Sequence, residues 1–207
     1  MKIRKKILSA LLLCGFCTLT VLGCGSDKDG SGNAATQEDN SPAVSESETH
    51  DSSSLENLGE FSMKDIAGSE YTQEMFADYD LTMVNVFTTW CTPCINEIPD
   101  LEKLKNNMAD QGVNVVGIVL DAIDASGGAN EETVEKAKLL AEQTGVTYPF
   151  LIPDETLLNG RLAGINAVPE TFFVDKDGNI VGETYSGSRS LESWTEVVEN
   201  EKQGVTQ

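Results

Sequence analysis

The chain has 207 residues, of which 40% are hydrophobic, and a formal net charge of -20 at pH 7. This excess of negative charge argues against nucleic-acid binding, because phosphates would be repelled, and against docking on anionic lipid through protein charge. The sequence contains five cysteines and one histidine, which limits the metal and hydrolase sites that it can form.

Residues 1–23 predict a lipoprotein signal peptide. Four basic residues within positions 1–6 precede a mostly apolar segment, residues 7–22, that is too short to suit a membrane-spanning helix. The segment is followed by Gly-Cys at Cys24, and Val-Leu-Gly-Cys resembles a bacterial lipobox. The resemblance implies cleavage before Cys24 and attachment of its sulfur to lipid, which holds the protein to the bilayer on the extracytoplasmic face of the cell membrane. An ordinary secretory signal or an uncleaved anchor helix is the alternative.

Residues 24–57 predict a disordered acidic tether, because they are rich in small polar and acidic residues and have almost no large apolar side chain. The single histidine, His50, lies in this segment. From residue 58 to residue 201 the composition is globular, and this length suits one domain with one core. We expect that domain to be monomeric, and we interpret residues 202–207 as a tail.

Apolar periodicity and turn residues divide the globular part into strands and helices. Residues 81–88 and 113–120 are rich in β-branched and other apolar residues, as in buried central strands. Further strands are predicted at residues 61–66, 70–71, 148–152, 171–174 and 180–185. One helical turn is predicted at residues 73–76. Helices are predicted at residues 94–110, 131–144, 155–163 and 190–201. This order predicts an α/β fold, with a central mixed sheet flanked by helices on both faces.

Two cysteines of the globular part carry the candidate chemistry. Cys91 and Cys94 are spaced C-x-x-C between a predicted strand and a predicted helix. Orphan N–H groups and the helix dipole stabilise a thiolate at a helix start, so the pKa of Cys91 should lie below the value of about 8.5 for a free cysteine. Cys91 is therefore the predicted nucleophile, and Cys94, one turn along, is the predicted resolving thiol.

Three features of the chain resemble the thioredoxin superfamily, and most closely the TlpA/ResA/CcmG-like group of membrane-tethered thiol–disulfide oxidoreductases. They are the run Trp-Cys-Thr-Pro-Cys at residues 90–94, Pro99 within the helix, and the run Ala-Val-Pro-Glu-Thr-Phe-Phe at residues 167–173. The resemblance covers residues 61–198. It implies a thioredoxin-like fold with extra N-terminal strands and a cis peptide bond before Pro169. It also implies that Val168 offers backbone hydrogen bonds to substrate.

The resemblance assigns roles to further residues around the cysteine pair. Trp90 is expected to form a half-exposed lid near the pair, and Thr92 and Pro93 are expected to set how the helix begins and to contact substrate. Asn85 occupies the position where thioredoxin has a buried Asp that assists the resolving thiol. Glu97, three residues after Cys94, is a candidate for that proton transfer; the alternative is a first-turn Glu that only favours the helix dipole.

The implied function is an extracytoplasmic, membrane-tethered enzyme that reduces disulfides in exported client proteins, for example in cytochrome c maturation. The resemblance suggests a CcdA/DsbD-type membrane protein as the electron donor. No cofactor is expected beyond the redox-active disulfide Cys91–Cys94. A structural zinc site needs four N or S ligands, and the globular part offers two thiols and no histidine, so no metal is expected.

Other functions stay open on the sequence alone. Thr88 and Cys91 give the T-x-x-C pattern of peroxiredoxins, although Val84 stands where that motif has proline, so a thiol peroxidase is one alternative. A surface lipoprotein that binds a partner without redox chemistry is another. An oxidase or isomerase is a third, which a measured reduction potential would separate from a reductase.

Overall fold

The computed structural model describes residues 56–205. The predicted signal peptide at residues 1–23, the lipidation of Cys24 and nearly all of the predicted tether lie outside the described residues. Among the helices that are described, none is long and apolar enough to cross a lipid bilayer.

A seven-stranded mixed sheet forms the centre of the described part, with the strand order β2-β1-β5-β4-β3-β6-β7. Strand β3 lies in the middle, parallel to β4 and antiparallel to β6, and β4 is parallel to β5. The two N-terminal strands extend one edge in antiparallel fashion. The strands are β1 (Ser62–Asp65), β2 (Glu70–Thr72), β3 (Leu81–Phe87), β4 (Val113–Val119), β5 (Phe150–Ile152), β6 (Glu170–Asp175) and β7 (Ile180–Ser186).

Helices cover both faces of this sheet, as the sequence predicts. They are α1 (Thr92–Met108), α2 (Glu131–Thr144), α3 (Glu155–Asn159) and α4 (Leu191–Val205), and a 3-10 turn occupies Gln73–Phe76. Because side chains alternate along a strand, the sheet supplies two separate buried clusters. One cluster packs α1, α2 and α4 against alternate residues of β3 and β4. The other packs α3 and the 3-10 turn against the remaining residues of those strands.

Every residue of β3 and β4 is buried, which explains why these two strands are the clearest in the sequence. Close packing also requires Gly117 in β4, because a Cβ there would lie 2.9 Å from a ring carbon of Phe150. The carboxyl ends of the parallel strands lie on the same side of the sheet, and α1 begins shortly after the carboxyl end of β3. The cysteine pair therefore lies at the carboxyl end of β3.

Several boundaries differ from the prediction. Helix α1 begins at Thr92 and not at residue 94, because proline is well tolerated in the first turn of a helix and Pro93 lies there. Strand β5 begins at Phe150 and not at residue 148, since Pro149 has no N–H for the ladder. Helix α3 ends at Asn159, four residues early, before a glycine of low helix propensity.

The predicted ends of the domain are also corrected. The tail begins later than residue 202, because α4 continues to Val205, which packs against the core, while Lys202 donates to the carbonyl of Gln111. At the other end the folded part includes residues assigned to the tether. The carbonyl of Glu56 accepts from Ile180 N at 2.7 Å, which joins this segment to the β6–β7 hairpin.

A candidate dithiol active site

The two cysteines lie at the junction of β3 and α1 and are joined in a disulfide, with an S–S distance of 2.04 Å. Cys91 is the N-cap residue of α1, with extended backbone angles, and Cys94 is the third residue of the helix. The expected placement of the pair at a helix start is thus what the structure contains.

One backbone N–H of the first helical turn is directed at the sulfur of Cys91. The N–H of Cys94 donates to Cys91 Sγ at 3.3 Å, in the position where a capping side-chain oxygen normally accepts. Such a donor, together with the dipole of α1, stabilises negative charge on this sulfur when the pair is reduced. The arrangement therefore favours Cys91 over Cys94 as the thiolate.

Solvent exposure also distinguishes the two cysteines, and it again favours Cys91 as the attacking residue. Cys91 is 5% exposed and Cys94 is fully buried at 0%. The difference agrees with the assignment of Cys94 as the more buried residue, but Cys91 is less open than an exposed nucleophile was expected to be. Cys91 therefore has only a small opening to the solvent.

The loop of residues 160–169, between α3 and β6, lies against this opening. The peptide bond between Val168 and Pro169 is cis, the geometry that the family resemblance implies. The carbonyl oxygen of Val168 lies 3.6 Å from Cys91 Sγ, and the carbonyl of Pro169 accepts from Gly187 N at 2.9 Å. The loop thus brings the backbone of Val168 beside the reactive sulfur.

Three of the residues that were expected to contact substrate, Trp90, Thr92 and Pro93, are exposed, whereas Val168 is half-buried and Pro169 is buried. Trp90 is 72% exposed, so the expectation of a half-exposed lid packed near the pair is wrong. Trp90 follows Thr89 in the turn before the helix, and the N–H and hydroxyl of Thr89 both donate to Asp121, which fixes the backbone of this turn. A large apolar side chain beside a disulfide is a contact point available to another protein.

Glu97 is buried beneath the cysteine pair and is only 3% exposed. Its Oε2 accepts from the backbone N of Arg189 at 3.1 Å and from Trp194 Nε1 at 3.2 Å. Its Oε1 accepts from Asn85 Nδ2 at 3.1 Å. Burial raises the pKa of Glu97 above the usual value, against the three hydrogen bonds, which lower it.

The sequence left two interpretations of Glu97, proton transfer to Cys94 or a first-turn Glu that only favours the helix dipole. Because α1 begins at Thr92, Glu97 lies in the second turn and no acidic residue occupies the first, so the interpretation as a first-turn Glu is wrong. Residues three apart on a helix are neighbours, so Glu97 shares a face with Cys94. A buried carboxyl with a raised pKa beside a buried thiol has the chemistry needed to exchange a proton with it.

Asn85 contributes to the same cluster from the centre of β3. Its Nδ2 also donates to Thr171 Oγ1 at 3.0 Å, while its Oδ1 has no hydrogen-bond partner among the described residues. The amide therefore serves as a donor to Glu97. An Asn at this position cannot titrate, which leaves Glu97 as the buried acid of the cluster.

Three functional candidates were not identified from the sequence: Asp121, Arg189 and Trp194. Trp194 lies in the helix that was predicted at residues 190–201, and nothing in the local pattern indicates that its indole N–H donates to a carboxylate. The guanidinium of Arg189 lies 5.0 Å from the centroids of Tyr185 and of Trp194, over both rings. With Thr92, Pro93 and Glu97, Arg189 also lines a cavity of about 370 Å³ at the start of α1.

Comparisons with known proteins agree with this geometry. The chain is 32% identical over 128 residues to the "Thiol:disulfide interchange protein DsbE" of Haemophilus influenzae, covering 62% of each chain. It is 29% identical over 122 residues to the "Thiol-disulfide oxidoreductase ResA" of Geobacillus thermodenitrificans, covering 58% of this chain and 63% of the relative. The chain thus spans slightly less than two thirds of the length of these curated relatives.

The fold is shared with solved structures. A thioredoxin family thiol:disulfide interchange protein from Chlorobium tepidum TLS superposes with a TM-score of 0.60 and 25% identity, over 73% of this chain and 99% of that one. The α/β fold is therefore thioredoxin-like, as predicted. A sequence model described as "AhpC/TSA family" matches residues 56–182, which is more than half of the chain. The protein belongs to the AhpC/TSA family, as a thioredoxin-like member with relatives named DsbE and ResA.

Proposed function

We propose that the protein is a thiol–disulfide oxidoreductase that reduces disulfides in exported client proteins while it is tethered to the extracytoplasmic face of the membrane. The observation that carries the proposal is the Cys91–Cys94 disulfide at the start of α1, with the N–H of Cys94 directed at Cys91 Sγ. The names of the relatives, DsbE and ResA, support the same chemistry.

The proposed cycle starts from the reduced pair. The thiolate of Cys91 attacks one sulfur of a client disulfide, which forms a mixed disulfide and releases the other client sulfur as a thiolate that takes up a proton. Cys94 then loses its proton and attacks Cys91 Sγ, which releases the second client sulfur as a thiolate that also takes up a proton. Two electrons pass from the protein to the client, the client takes up two protons in all, and the protein is left in the disulfide form.

In this cycle Glu97 accepts the proton of Cys94. Cys94 is fully buried, so no bulk water reaches it directly, and Glu97 is its helical neighbour. The hydrogen bonds from Arg189, Trp194 and Asn85 stabilise the charged carboxylate although it is buried. Trp90, Thr92, Pro93, Val168 and Pro169 form the proposed surface for the client chain.

Regeneration needs a dithiol donor that gives two electrons and two protons to the pair. We propose a CcdA/DsbD-type membrane protein for this step, and exported proteins with non-productive disulfides, such as apocytochrome c, as clients. The run Val-Leu-Gly-Cys that ends at Cys24 resembles a lipobox, and this resemblance supports the proposed membrane attachment; the acidic segment after it would act as the tether. The protein would act as a monomer with no cofactor other than its own disulfide.

The decisive experiment is reduction of insulin disulfides by the protein with dithiothreitol as the electron donor. Wild type should accelerate the reaction, Cys91→Ser should abolish the acceleration, and both should keep the same circular dichroism spectrum. Cys94→Ser should accumulate a mixed disulfide with its clients, which mass spectrometry can identify. A wild-type protein that leaves insulin and every other disulfide unreduced would refute the proposal.

A thiol peroxidase is the second candidate, on one observation. The hydroxyl of Thr88 is buried beside Cys91 with no hydrogen-bond partner among the described residues, and Thr88 is the threonine of the T-x-x-C pattern. The position four residues earlier is Val84 and not proline, and Cys94 is placed for dithiol exchange. Consumption of hydrogen peroxide faster than reduction of insulin would favour the peroxidase.

A further inference from the structure

Arg161 lies at the beginning of the 160–169 loop and joins it to the sheet. Its Nη1 donates to Glu170 Oε1 at 2.9 Å, and its Nη2 donates to Thr184 Oγ1 at 3.1 Å. Its guanidinium carbon lies 4.1 Å above the ring centroid of Phe172. One side chain therefore contacts the first residue of β6, the interior of β6 and the edge strand β7.

These contacts are sheltered from water. The side chains of Arg161 and Glu170 are 14% and 17% exposed, whereas the ion pairs of α2 are largely open to solvent. Sheltered ion pairs are less screened by salt than exposed ones. The planar guanidinium also stacks on Phe172 while it donates in two directions, which a lysine could not do.

The loop between Arg161 and Glu170 contacts the core at only some of its residues. Leu162 and Pro169 are buried, and Ile165 and Val168 are partly buried against the two core clusters. The other residues, Ala163, Gly164, Asn166 and Ala167, are exposed, so packing alone holds them weakly. The ion pair between Arg161 and Glu170 closes the loop at its base and so restricts the conformations of the residues between them.

We propose that Arg161 is a positioning residue for disulfide exchange: by closing the 160–169 loop on Glu170 and Thr184, it fixes where Val168 presents its backbone to a client chain. The carbonyl of Val168 lies 3.6 Å from Cys91 Sγ, so a displacement of this loop changes the geometry at the sulfur. The inference rests on the proposed function, because it concerns the docking of the client in that reaction.

The test compares a protein substrate with a small one. Arg161→Met keeps an unbranched apolar side chain over Phe172 but removes both donors. We expect KM for insulin to rise about tenfold, because misplacement of a positioning group by about 1 Å can cost up to about 100-fold. The turnover of a small aromatic disulfide, which needs no docked chain, should stay within about twofold of wild type.

Two further variants keep the test decisive if Arg161→Met does not fold. Thr184→Val removes one hydrogen bond at an exposed site, and Arg161→Lys keeps the charge without the two-directional contact; both should raise KM for insulin by less than Arg161→Met. Lys176→Met, which removes an exposed ion pair at the hairpin turn, is the matched control and should change neither substrate.

The outcomes distinguish a failure of the role of Arg161 from a failure of the proposed function. An unchanged KM for insulin in all three variants, or an equal loss on insulin and on the small disulfide, would overturn the role of Arg161. A wild-type protein that reduces neither substrate would instead contradict the proposed function.

Discussion

Replacement of Glu97 by Gln tests the proton transfer at Cys94 with little change in shape. The carboxylate accepts from Asn85 at one oxygen and from Arg189 and Trp194 at the other. A glutamine oxygen can retain the pair of donors from Arg189 and Trp194, but its NH₂ would then face the NH₂ of Asn85. Because Asn85 Oδ1 has no partner among the described residues, rotation of the Asn85 amide can place this oxygen against the new donor. We therefore expect a folded variant that loses at most about 1–2 kcal/mol of stability.

The expected kinetic effect follows from the position of Glu97 beside a fully buried thiol. A positioned general base is worth about 10²–10⁴ in rate. Burial raises the pKa of Glu97. The pKa of this carboxyl is therefore closer to the pKa of a thiol, which makes the carboxylate a better base for a thiol proton. We expect insulin reduction by Glu97→Gln to fall about 100-fold near pH 6, where an unassisted thiol is protonated, and to fall less near pH 9.

The assay is the pH dependence of insulin reduction from about pH 5 to about pH 9, with circular dichroism to verify the fold. The wild-type rate should rise as the carboxyl of Glu97 loses its proton, and this rise should be missing from the Gln variant. A variant with the same rate and the same profile as wild type, at whatever stability, would show that Glu97 has no part in the reaction.

Three other changes have defined outcomes. Because burial raises the pKa of Glu97 in the folded state, the stability that the protonated carboxyl contributes is complete below the unfolded pKa of about 4.3 and is lost as pH rises through the folded pKa. The stability of wild type relative to Glu97→Gln, measured by urea titration, should therefore fall as pH rises above about 4.3; a constant difference would contradict the raised pKa. Trp194→Phe keeps a ring but removes one donor to Glu97, so the rise of the pH–rate profile should move to higher pH, and an unmoved midpoint would exclude this hydrogen bond as a cause. Gly117→Ala should lower the free energy of unfolding by about 1–3 kcal/mol, measured by thermal melting, because the added methyl meets a phenylalanine ring; a wild-type melting temperature would contradict the packing argument.

The sequence determines the elements of this fold to a large extent, because two local signals are strong. Continuous apolar runs identify β3 and β4, which are buried along their whole length. Helix α2 has the predicted bounds, since Asn130 caps its start and Gly145 adopts the left-handed conformation at its end. Boundaries that depend on contacts between distant segments, such as the end of α4 at Val205, were placed wrongly.

For the candidate site, the sequence predicted Cys91, Cys94, Pro169 and Glu97 through motif spacing and resemblance. Those residues lie close to one another in the chain or in a recognisable run. The partners of Glu97 could not be predicted, because Asn85, Arg189 and Trp194 come from β3, from the connection after β7 and from α4, and only the packing of α4 against α1 and the sheet brings their N–H groups to one carboxylate.

The partners of Arg161 could not be predicted for the same reason, because they are distant in the chain. In the sequence Arg161 is a single basic residue in an irregular segment, and nothing local pairs it with Glu170 or with Thr184. Sequence spacing thus predicted which two sulfurs are joined in the disulfide, since that bond needs only two cysteines one helical turn apart. The tertiary structure decided which groups hold the surrounding loop and the buried carboxyl in place, because these contacts join residues far apart in the chain.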